Sequence, residues 1–179
     1  TSIGDGVKVN QGGTTGADQS VRMTASDNTF MVQTGGTVSG AGAAAVSGTV
    51  DTAVVAKTTT ARMGKATVDA HDVAISAQSG EDLYMVGVNV SGAGAAGVGA
   101  ASNVAVVTNT TTASVGAGAD IAATGDLAVN ANEQTHIDLY TMSGAGGIAG
   151  VSGAVSVGVI NNTTLAQVDG SSDAADAAH

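Results

Sequence analysis

The chain has 179 residues, among them 27 Gly, one Phe, two Tyr and no Pro, Cys or Trp. Fifteen acids against five bases set the formal net charge at −10, so the basic footprint and stacking aromatics of a nucleic-acid binder are missing. Without Cys there is no disulfide framework, thiolate metal site or cysteine nucleophile. At 43% hydrophobic and 11% charged, the chain is too apolar for an acidic disordered segment and must bury surface through Ala and Val.

Charge is unevenly placed. Lys8, Arg22, Lys57, Arg62 and Lys65 all fall in the first 65 positions beside four Asp, whereas the last 114 residues carry eleven acids and no base. A solvated acidic surface accounts for this, with head-to-tail attraction as the alternative.

Taken in chain order, Thr1-Ser-Ile-Gly-Asp-Gly6 matches the later segment Ala113-Ser-Val-Gly-Ala-Gly118, so the chain opens partway through a repeat. Val21-Arg-Met-Thr-Ala25 then alternates apolar and polar residues, the period of a strand with one buried face. The motif Ser39-Gly-Ala-Gly-Ala-Ala44 returns as Ser91-Gly-Ala-Gly-Ala-Ala96 and as Ser143-Gly-Ala-Gly-Gly147, each 52 residues on. Ala53-Val-Val55 matches Ala105-Val-Val107, and Thr58-Thr-Thr-Ala61 matches Thr110-Thr-Thr-Ala113. A gapless overlay of 39–90 on 91–142 leaves 17 identities, enough to establish a tandem array. Small shifts align Asp72–Ala77 with Asp126–Ala131, and Asp82-Leu-Tyr84 with Asp138-Leu-Tyr140. The third copy needs one inserted residue before Thr163-Thr164 and reaches the phase of the start at Ala166-Gln-Val-Asp-Gly170. Such ends belong to a piece of a longer array or are built to meet.

Val, Ile and Thr fill the alternating runs, Gly, Asn and Asp separate them, and helix signals are missing. The fold expected is all-β, a right-handed parallel β-helix of about three 52-residue repeats, each read as about five short strands and about two coils of some 26 residues. One solenoid is expected over 1–170, with units 1–38 (partial), 39–90, 91–142 and 143–170 (partial), followed by an acidic Ala-rich tail over 171–179. Absence of Pro fits a ladder that needs nearly every backbone N–H, and Ala, Gly and Val suit a narrow interior.

Several motifs invite other readings. Residues 85–107 run without charge for the length of a membrane span, but their Gly, Ser and Asn favour buried strands. Gly92-Ala-Gly-Ala-Ala-Gly97 is a literal GxGxxG, yet no helical pattern follows it, so a Gly-rich bend is expected. Gly4-Asp-Gly6 and Gly118-Ala-Asp120 are too isolated for a calcium-loaded solenoid, and no export signal stands at the N-terminus. His71, His136 and His179 fall at no common repeat phase and lack metal-site spacing; Glu133 and Asp138 merely flank His136. No catalytic residues, metal or cofactor are expected, and the chain is not expected to be an enzyme.

The regular polar features are the Thr tracts. Thr58, Thr59, Thr60, Thr110, Thr111, Thr112, Thr163 and Thr164 are candidates for a surface ladder, which strand propensity and stacked hydroxyls alone explain. Asn89, Asn109, Asn161 and Asn162 each begin a glycosylation sequon.

The succession Ser91–Ala100, Asn103–Ala113 and Gly118–Val129 resembles the repeats of very large secreted bacterial surface proteins, the filamentous-haemagglutinin-like and leukotoxin-like adhesins and related autotransporter passengers. The resemblance implies an extracellular, cell-surface β-helix serving as stalk and adhesive surface. Its partners would be other surface or matrix molecules, or copies of itself stacked end to end into a filament, with no nucleic acid and no membrane insertion of this segment. The alternatives are a β-helical carbohydrate-active enzyme, which needs acids converging on one groove, and a Thr-array ice-binding solenoid.

Overall fold

The computed structural model describes residues 1–12, 16 and 18–169. The expected tail over 171–179 lies outside the described residues. Ten strands follow one another: β1 (Ser2–Ile3), β2 (Lys8–Val9), β3 (Ser20–Ala41), β4 (Ala44–Met63), β5 (Thr67–Ala70), β6 (Asp72–Ala93), β7 (Ala96–Val115), β8 (Asp120–Ala123), β9 (Leu127–Gly146) and β10 (Ala149–Val168). They form three parallel sheets ordered β1-β4-β7-β10, β2-β5-β8 and β3-β6-β9. This is the all-β parallel solenoid expected from the repeat.

The coil, however, is twice as long as expected. Ser20 pairs with Asp72 and Ala44 with Ala96, so one 52-residue repeat makes a single coil rather than two. Each coil is a flattened triangle, with two sides of about twenty residues and a base of four. The strands are far longer than the usual ~3–10 residues. Gly35, Gly36, Gly80 and Asn89 read as turn formers, yet they lie inside strands. In a stacked ladder every backbone group has a partner above or below, so these residues interrupt nothing.

Register confirms the phase read from the motifs. Val54 faces Val106 and Thr59 faces Thr111, and β10 follows β7 with the single added residue (Thr111 to Thr164). Ser2 and Ile3 pair with Arg62 and Met63, which pair in turn with Ser114 and Val115. One local alignment changes. Leu83 lies beside Ile137 and Tyr84 beside Asp138, two residues away from the pairing that the two Asp-Leu-Tyr triplets suggested.

The Gly-Ala motifs make the sharp corner where the two long sheets meet. Residues 42–43, 94–95 and 147–148 are the turns, with Ala95 N donating to Ala43 O at 3.0 Å and Ala149 N to Ala95 O at 2.9 Å. Inside this corner the backbones approach closely. A Cβ on Gly97 would sit 2.5 Å from Gly146 O, and one on Gly99 2.9 Å from Gly144 O. Gly147 also has φ of 151°, where other residues are strained. The GxGxxG at 92–97 is therefore the bend itself.

The interior is layered. At the base, Met23, Met63, Val68, Val73, Ile75 and Val115 belong to one apolar cluster. Farther out along the sides, Val55, Leu83, Met85 and Val107 belong to a second. Between the two lies a band of charged and polar side chains, and beyond the second, toward the corner, lies another polar band.

Candidate functional site

Alternation fixes which side chains meet. In β6 the odd positions from Val73 to Ser91 are buried and the even ones face outward; β3 and β9 share that parity through their register. In β4 and β7 the odd positions are again interior. The charged band thus forms where Asp27, Ser79 and Glu133 in one ladder, and Thr29, Glu81 and Thr135 in the next, oppose Lys57, Asn109 and Asn162.

Lys57 Nζ lies 2.7 Å from Glu81 Oε1 and 3.3 Å from Asp27 Oδ1, and donates to the carbonyls of Asp27 and Gly80. Glu81, only 2% exposed, also accepts from Ser79 Oγ at 2.8 Å, from Asn109 Nδ2 at 2.5 Å and from Thr135 Oγ1 at 3.1 Å. Asn109 Nδ2 reaches on to Glu133 Oε1 at 2.9 Å, and Thr111 Oγ1 donates to Glu133 Oε2 at 2.6 Å. In the second coil Asn109 occupies the ladder position of Lys57, so the band holds one cation for three carboxyl groups, those of Asp27, Glu81 and Glu133.

The ionisation states follow. Burial opposes charge on Lys57, but its hydrogen bonds and attraction to Glu81 and Asp27 outweigh it and hold its pKa above the ordinary value. Burial likewise pushes Glu81 up, but hydrogen bonds from Glu133, Lys57, Ser79 and Thr135 together hold it below the usual carboxylate range. Glu133 is raised, first by burial and then by the Glu81 carboxyl beside it. Enclosed in this way, Glu81 can clamp coils to one another but has no open face. Sequence reasoning missed the cluster, although the recurrence of Glu at 81 and 133, one repeat apart, was its signal.

The Thr tracts divide between the two faces. Thr58, Thr110 and Thr163 share an outward ladder; Thr60 and Thr112 share the next, which ends at Leu165; Thr59, Thr111 and Thr164 point inward. Thr59 and Thr111 are buried, so the middle residue of each tract is no part of a surface array.

The sequon asparagines divide similarly. Asn89 is 0% exposed, donating to Thr37 Oγ1 at 2.6 Å and accepting from Ser47 Oγ at 2.9 Å; Asn109 is spent on the two glutamates. Asn162 faces inward and donates to Thr135, which leaves Asn161 as the one outward-facing member of the four. In the folded chain Asn89 and Asn109 are closed to modification because their amides are core hydrogen-bond donors.

His71 lies beside Thr124, Nδ1 to Oγ1 3.0 Å, and His136 Nε2 is 3.1 Å from Asp138 Oδ2 on the outer face. His179 lies outside the described residues. Asp5, from the isolated Gly4-Asp-Gly6, accepts from Lys65 N at 2.8 Å and so ties one coil to the next. Residues 85–107 are the end of β6, the corner and most of β7, and no helix among the described residues is long and apolar enough to cross a membrane.

The outer face of β4-β7-β10 is uncharged from Ala44 to Thr60 and across the paired positions of β7 and β10. Val46, Val98 and Val151 form one of its ladders and Val54, Val106 and Val159 another. Between Val46 and Val50 the small residues Gly48, Ala100 and Gly153 make a shallow trough along the solenoid axis. Comparison with known protein families, curated proteins and solved structures returned no match.

Proposed function

We propose that the chain is a structural and adhesive module of a bacterial extracellular surface protein, a β-helical shaft whose sides present ladders to other surface or matrix molecules. The observation that carries this reading is the uncharged outer face of β4-β7-β10. Val46 is 77% and Val54 68% exposed, and exposed apolar side chains grouped on one face mark contact sites on proteins. The long in-register strands beneath it supply a rigid support. Among the described residues, β9 and β10 each present an unpaired edge, as does β3 at the other end, and edges of this kind are templates for end-to-end stacking of copies.

The test is adhesion. Beads coated with the protein are expected to attach to epithelial cells or to films of extracellular matrix in clear excess over albumin-coated beads. The attachment should fall when Val50 and Val54 are both replaced by Lys. Attachment no better than albumin on every surface would sink the adhesive reading.

A further inference from the structure

All three aromatic residues of the chain point outward from one sheet. Phe30, Tyr84 and Tyr140 occupy even positions of β3, β6 and β9, the positions that face away from the core. Phe30 is 71% and Tyr140 57% exposed. A chain so short of large side chains leaves outside the very residues that would bury most area per position.

The rings are organised. Tyr84 packs against Phe30 at a centroid distance of 5.8 Å and against the His136 ring at 6.0 Å, making a row along the solenoid axis. Asp138 holds His136 in place. Beside the row lies an open recess of about 310 Å³. Gly80 floors it: the neighbouring rung runs Asn28, Gly80, Gln134, and Asn28 Oδ1 leans over the glycine to 2.8 Å from where a Cβ would stand. Asn28 and Gln134 wall the recess, and Phe30, Asp82 and His136 supply its other rim.

We infer that this recess and the ring row bind a neutral saccharide. Sugars present flat C–H faces that stack on aromatic rings and hydroxyl edges that need both donors and acceptors; the side-chain amides offer both, Asp82 accepts, and His136 supplies ring nitrogens. The rings lie side by side and do not enclose a volume, which suits a chain of sugar units better than a caged cation. Asp82 and Asp138, on a molecule of net charge −10, disfavour sulfated or otherwise anionic glycans. The inference rests on the adhesive reading, in that it names the ligand class for one face of the shaft.

The full chain is titrated with cellohexaose, chitohexaose and maltohexaose, and with a heparin hexasaccharide as the anionic comparison. Tyrosine emission is the readout, uncomplicated because the chain has no Trp. At least one neutral hexasaccharide should bind with Kd below ~1 mM. Phe30→Ala, and separately Gly80→Val to plug the recess, should each weaken it by roughly tenfold, one ring stack or its equivalent. Ser114→Ala, on the opposite face, should leave it unchanged, and circular dichroism should show each variant folded. Failure of all three neutral sugars, unaltered binding in the Phe30 and Gly80 variants, or tighter binding of heparin would each overturn the assignment. Cell attachment that survives Phe30→Ala would overturn the saccharide site as its cause and leave the adhesive reading standing, whereas saccharide binding without cell attachment would do the reverse.

Discussion

Glu133 is the residue whose ionisation works against the fold. Its folded pKa is raised, so its favourable contribution is complete below the ordinary carboxylate value and is lost as pH climbs through the folded value. Glu81 runs the other way. Its pKa is depressed, so its contribution is present above the ordinary value and lost as pH falls through the folded one. Glu133→Gln keeps an acceptor for Thr111 and removes one ionisable carboxyl from the buried band. The variant should therefore have a higher denaturation midpoint than the parent at pH 7, with the difference vanishing near pH 4, where the parent's Glu133 is protonated too. Thermal unfolding followed by circular dichroism at both pH values checks this; an equal gain at the two would mean that charge is not the cause. The pair escaped sequence reasoning because adjacency in a solenoid is set by ladder offset. Glu81 and Glu133 look equivalent at 52 residues, but β6 and β9 are offset by 54, which puts Glu133 beside Ser79 and leaves Glu81 facing Thr135.

At the scale of the strand, alternation settles parity but not register. A slip of one residue turns the core outward, whereas a slip of two preserves the pattern and is penalised only where the interior is not uniform. The charged band supplies that non-uniformity, since a two-residue slip takes Lys57 away from Glu81. The corner band adds to it: Asn103 Nδ2 donates to Tyr140 O at 2.9 Å, and its side chain occupies the space that the missing Cβ of Gly87 leaves free. Lys57→Met alone should cost about 3–5 kcal/mol, because it strands a buried carboxylate. The quadruple variant Lys57→Met, Glu81→Leu, Asn109→Leu and Glu133→Leu should recover that loss but show broadened or doubled amide resonances from mixed register. A single sharp spectrum for the quadruple variant would refute the register role. Here lies the limit of the sequence reading as well. Identical residues such as Val54 and Val106, or Thr58 and Thr110, announce the repeat length, whereas mid-strand Gly80, Gly87 and Asn89 have the composition of turns and conceal that the whole repeat is one coil.

For the molecule as a whole, stability is a sum over neighbouring coils. β6 and β7 have partners on both sides along their full length, while β3, β9 and β10 have one. Hydrogen exchange in dilute solution should be slowest in β6 and β7 and should quicken toward β10. If copies stack end to end, protection in β10 and β3 should rise with protein concentration while β6 stays constant; a concentration-independent profile would count against stacking. The two-residue corners have a mechanical consequence. They press two sides of about 65 Å into a blade about 20 Å thick with side chains, and for such a section the stiffness ratio goes as the square of width over thickness, roughly tenfold. A shaft extended by coils of this shape would resist bending edgewise and yield flatwise, like a tape, and could lay one entire face along a curved surface where a round needle would touch only at its tip.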